Sequence, residues 1–108
     1  MIERIIKSLQ TTRATEQMIE TVKRLYRSQT DAELEEFVAT TFRNQKLPTI
    51  ILTLNSTKLL NPNIPSDAAA FLHYLKLDAE EIFERGYQEE GSELLRLHDR
   101  LLSFLEKG

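Results

Sequence analysis

A chain of 108 residues with 41% hydrophobic and 29% charged side chains has the make-up of one ordinary globular domain, spanning 1–108. It is long enough to bury about two-thirds of its unfolded surface without a metal or disulfide to hold it. It has no cysteine, which excludes disulfide scaffolds, thiolate zinc sites and cysteine nucleophiles. The net charge of −3 is uneven: nine Lys/Arg face seven Asp/Glu up to Leu60, and five face ten from Asn61 onward. Neither part is the basic domain of a nucleic-acid binder, and the acidic second part favours a cationic partner.

At the N-terminus, charges interrupt the apolar residues of MIERIIKSLQ, so no continuous signal-peptide core is present. No apolar run approaches the ~20 residues of a transmembrane segment. The expected location is cytoplasmic. Ile2, Ile5, Ile6 and Leu9, then Met18, Ile19, Val22, Leu25 and Tyr26, follow helical spacing, and the pattern predicts one helix over 2–28 with a weak polar middle at 11–15. Thr30-Asp31-Ala32-Glu33 reads as a capping box. The helix it starts carries Leu34, Phe37, Val38, Thr41 and Phe42 on one face and is expected to end near Asn44–Lys46.

The stretch 47–60, LPTIILTLNSTKLL, is apolar nearly all round a helical wheel and is predicted to be a buried helix enclosed by its neighbours. Two prolines and two asparagines at 61–65 mark a break. Ser66 is placed to cap a helix with Ala68, Phe71, Leu72, Leu75, Ala79, Ile82 and Phe83 on its stripe, and Gly86 to end it. Gly91-Ser92 reads as the start of a last helix presenting Leu94, Leu97, His98, Leu101, Leu102 and Leu105. The sum is an all-α fold, a compact antiparallel four- to five-helix bundle. Either the last helix packs in the bundle or its apolar face forms a homodimer seam.

His73-Tyr74-Leu75-Lys76 resembles the core of histidine phosphotransfer domains, in which a phospho-accepting histidine precedes a lysine by three residues. Leu77 stands where that family has a small residue, and an ordinary exposed histidine is the far commoner reason for such a match. His98 lies mid-stripe among leucines, the position of a core or interface histidine. Glu33-x-x-Glu36 and Asp78-x-x-Glu81 loosely resemble the paired Mg²⁺-binding motifs of all-helical nucleotide pyrophosphohydrolases. Glu36 and Glu81, however, project away from their apolar stripes, as solvated glutamates do. Lys23, Arg24 and Arg27, joined by Arg13 or Arg43, make a basic patch that pairing with Glu20 would explain.

Tyr74 and Leu77 stand off the main stripe of the 66–85 helix, where an apolar residue either packs under another helix or marks a partner surface. With His73, Glu80, Glu81 and Glu84 around them they form the candidate partner-binding surface. A polar-faced helix leading into a short apolar segment opened by proline, Glu35–Gln45 then Leu47-Pro48-x-Ile50-Ile51 with Asn55, is similar to bacteriocin immunity proteins of the enterocin and pediocin type. That resemblance implies a four-helix bundle acting against a cationic peptide. The function expected is a non-catalytic interaction protein, a regulator, inhibitor or adaptor. It would have no cofactor, metal or catalytic residues, and it would bind another protein or peptide of cationic character rather than nucleic acid.

Overall fold

The computed structural model describes residues 1–12, 14–42 and 66–107. They form α1 (Ile2–Gln10), α2 (Glu16–Arg27), α3 (Asp31–Thr41), α4 (Ser66–Glu84) and α5 (Gln88–Lys107), with no strand among the described residues. The Cα radius of gyration, 13.4 Å, is that of a compact globule of this length. The apolar stretch 47–60 lies outside the described residues. The helix expected to run to Asn44–Lys46 ends sooner, at Thr41, because Phe42 leaves helical geometry for an extended conformation (φ −108°, ψ 131°).

Residues 2–28 are two helices, not one. The polar stretch between them closes the first and opens the second. Thr11 Oγ1 donates to the Ser8 carbonyl at 2.6 Å and Thr12 Oγ1 to that of Leu9 at 2.8 Å, using up carbonyls that a continuing helix would need. Thr15 then caps α2, its hydroxyl accepting the Met18 amide at 3.1 Å. A run of threonines supplies local hydrogen bonds that compete with the helix, and here they win.

The capping box forms as expected. The Glu33 amide donates to Thr30 Oγ1 at 3.1 Å, and the Thr30 amide donates to the Glu33 carboxylate at 3.3 Å. Leaving α3, Phe42 stacks edge-on against Phe37 (5.6 Å between ring centres) and tilted against Phe71 of α4 (5.7 Å). Such aromatic pairs add to plain area burial. They pin the end of α3 to the second turn of α4.

The α4–α5 hairpin is made by its turn. The Gly86 amide bonds the Phe83 carbonyl at 3.1 Å and the Tyr87 amide bonds that of Ile82 at 3.2 Å, the paired hydrogen bonds of a Schellman stop. Gly86 sits at φ +97°, a left-handed conformation costly to any residue with a Cβ. Gly86→Ala is therefore expected to lower stability by roughly 1–2 kcal/mol, measured by urea denaturation, although its Cβ would meet nothing within 4 Å. No loss would mean the turn readily takes another form.

The last helix starts at Gln88 rather than at Gly91-Ser92. Glu89 and Glu90 fill its first turn, where the helix dipole favours negative charge. Gly91 lies inside the helix for a packing reason. A Cβ there would stand 3.1 Å from the Ala79 carbonyl oxygen and 3.0 Å from Phe83 Cδ2, so α5 approaches α4 closely at this point.

The core runs through all five helices: Ile5 and Leu9, Val22 and Leu25, Leu34 and Phe37, Leu72, Leu75, Ala79 and Ile82, then Leu94, Leu97, Leu101 and Leu105. The α5 stripe is thus part of the bundle interior. Two arginines cover carbonyls left open at helix ends. Arg85 donates to the Thr11 carbonyl beyond α1, and Arg100 to the carbonyls of Ser28 and Gln29 beyond α2.

Candidate functional site

The residues that α4 does not commit to the core form a second face. Tyr74, Leu77, Asp78 and Glu81 follow the i, i+3, i+4, i+7 spacing of one side of a helix. Together with Ala14, Thr15 and Met18 from the start of α2 they line a cleft of about 720 Å³. The α1–α2 break creates the opposing wall, because Thr15 turns the chain there and sets Met18 one turn into the new helix. The lining is apolar on both sides, with two carboxylates along the α4 side.

Tyr74 and Leu77 are 46% and 48% exposed, large apolar side chains that the bundle leaves uncovered among the described residues. Asp78 lies beside the buried stripe and is half-buried. Burial, and after it the neighbouring Glu81, pushes its carboxyl above the ordinary aspartate range. Glu81 is held by Arg85 at 2.8 Å. Asp78 has no ion-pair partner among the described residues.

That shift carries a sign. A raised carboxyl keeps its proton in the folded chain over a pH interval in which the unfolded chain has lost it, so stability falls as pH rises through the interval. Asp78→Asn removes the penalty. Thermal unfolding is expected to show a higher Tm than the parent at pH 7 and the same Tm near about pH 3, where aspartates are protonated in both states. A lower Tm at pH 7 would show that the carboxylate is stabilising instead.

Of the six surface residues expected from sequence, Tyr74, Leu77 and Glu81 line the cleft. His73 is half-buried with its ring edge-on to Tyr74 at 5.4 Å, while Glu80 and Glu84 are exposed outside the lining. Ala14, Thr15 and Met18 join the lining from the start of α2, a placement no helical wheel carries, because a wheel does not say which helix faces a second stripe. Asp78 belongs to the four carboxylates whose spacing loosely resembles paired Mg²⁺-binding motifs.

Those four carboxylates do not converge. Glu33 and Glu36 line a shallow cleft with Arg24, Arg27 and Thr40, separate from that of Asp78 and Glu81. Glu33 is also engaged in its capping box. Among the described residues no group of three or more His, Asp or Glu side chains is placed to hold a metal ion. His98 is buried, with Nδ1 2.9 Å from the Asp99 carboxylate. Within the basic patch, Arg24 lies over the Phe37 ring at 5.7 Å and bonds Thr40, and Lys23 pairs with Glu20 at 3.6 Å, while Arg13 and Arg43 lie outside the described residues. No described helix is long and apolar enough to cross a membrane.

No protein-family model, curated protein or solved structure matches this chain.

Proposed function

We propose that this protein acts by binding another protein through the second face of α4, as a small helical regulator, inhibitor or adaptor. The observation that carries the reading is the cleft itself. Two large apolar side chains, each nearly half exposed, stand together on a helix that has already buried a full stripe in the core. Exposed single apolar residues are ordinary, but a pair in a concave apolar setting fits a recognition surface. Among the described lining residues, the Thr15 hydroxyl accepts the Met18 amide, and the carboxylates of Asp78 and Glu81 stand along the α4 side.

Leu77→Asp is the test. A charge at a half-exposed position leaves the buried stripe intact, so the variant should keep its helical circular dichroism and cooperative unfolding. Affinity capture from the source lysate is expected to recover a stoichiometric partner with the parent and lose it with the variant. A folded Leu77→Asp protein that retains the same partner would end the reading.

A further inference from the structure

Resting on that docking reading, we infer that the cleft between α4 and the start of α2 takes an amphipathic helix whose apolar side chains are flanked by Lys or Arg. Two observations fix this chemistry. The lining from Ala14, Met18, Tyr74 and Leu77 presents apolar surface from two helices, the setting in which a third helix lays its apolar face into a groove. Within that lining Asp78 and Glu81 stand one helical turn apart on the α4 side, with Glu80 and Glu84 exposed beyond them. Glu81 already has Arg85, whereas Asp78 has no ion-pair partner among the described residues.

A half-buried carboxylate with a like charge beside it is held at a cost, and an incoming cation relieves that cost. An acidic or purely apolar helix would bury Asp78 further without compensation. Electrostatic complementarity of this kind selects partners more than it adds affinity. The cleft therefore discriminates by charge at its α4 edge and holds by apolar contact at its centre.

Two peptides of equal length serve as probes: one with Leu at helical i, i+3, i+4 spacing and Lys at the remaining positions, and one with Glu replacing every Lys. Binding to the full-length chain is followed by the methyl resonances of Met18, Leu77 and Ala14. The Leu/Lys peptide is expected to shift these methyls saturably, while the Leu/Glu peptide does not. Asp78→Asn should weaken the Leu/Lys peptide roughly fivefold, the effect of losing one partly buried ion pair. The same substitution should raise Tm at pH 7, so binding and stability move in opposite directions. A residue that only supports the fold would not produce that split.

Equal binding of both peptides would overturn the charge-selective occupant while leaving a docking surface in place. Shifts confined to other methyls would overturn the site. Nuclear Overhauser contacts in the free chain from the Met18 and Leu77 methyls to residues 47–60 would show that the chain fills its own cleft, and would overturn the proposal. Loss of the native partner on Leu77→Asp is read separately, so failure of the peptide result and failure of the docking reading remain distinguishable.

Discussion

Replacing Arg4 with Met is expected to destabilise the fold by about 2–3 kcal/mol, although Arg4 is a mostly exposed side chain. The reason lies in what it leaves behind. Glu90 in the first turn of α5 is 3% exposed, and its Oε1 lies 2.6 Å from Arg4 Nη2. That oxygen has no well-aligned hydrogen-bond donor among the described residues, so the attraction is mainly one of charge. Take away the guanidinium and a buried carboxylate is left without its counter-charge, which costs far more than losing a surface ion pair. The figure sits below that of a fully buried pair because water reaches the Arg4 side, which is 60% exposed.

The neighbouring contact, Arg4 Nη1 to Glu89 at 3.0 Å, joins two exposed groups. Glu89→Gln is expected to change stability by less than about 0.5 kcal/mol. Adding Glu90→Leu to Arg4→Met should recover most of the loss, because a buried pair replaced by apolar side chains is often neutral. Urea denaturation of the four proteins measures this directly. An Arg4→Met loss no larger than that of Glu89→Gln would show that Glu90 finds another partner or water. The pair clasps the start of α1 to the start of α5, two elements far apart in the chain.

Gly91→Val is expected to cost roughly 2–3 kcal/mol, an overpacking effect. Gly91→Ala makes the sharper test, because two terms oppose each other. Alanine gains about 1 kcal/mol in helix propensity over glycine. Its Cβ, however, would lie 3.1 Å from the Ala79 carbonyl oxygen and 3.1 Å from Phe83 Cβ, neither of which can swing aside. The Phe83 ring can move, being 41% exposed, but the backbone oxygen cannot. Separating α4 from α5 by a few tenths of an ångström along their shared core loses dispersion contacts at Leu94, Ala79 and Ile82. The net result expected for Gly91→Ala is destabilisation, and a Ser92→Ala control, exposed one residue on, should be neutral or better. A rise in Tm for Gly91→Ala would show that the helices part without loss.

Much of the architecture is legible from periodicity and end signals. The stripe on α4, the glycine that ends it, the capping box of α3 and the leucine stripe of α5 all rest on local rules: 3.6-residue spacing, a left-handed C-terminal glycine and a threonine hydroxyl three residues from a glutamate. The misread elements are those in which two local rules compete. Thr11, Thr12 and Thr15 are poor helix formers and good caps, and wheel spacing continued across them hides the break. Gly91 suggests a helix start when taken alone, yet it lies inside α5, where the Ala79 carbonyl twelve residues back on the facing helix crowds any Cβ.

The candidate site divides in the same way. Tyr74 and Leu77 are visible in the sequence as apolar residues off the main stripe. Their opposing wall is not visible, because Ala14, Thr15 and Met18 are some sixty residues distant and their placement depends on how α1 and α2 turn.

Sequence alone therefore determined the helical class, the core stripes, the capping box of α3 and the glycine stop of α4, since each rests on residues within a few positions of one another. Only the tertiary structure decided that α5 joins the core, that Glu90 is a buried anion held by Arg4, and that Asp78 shares an apolar cleft instead of a metal site with Glu33 and Glu36. Those outcomes depend on which helix faces meet. The close approach at Gly91 and the Arg4–Glu90 pair join residues far apart in the chain, and periodicity records neither.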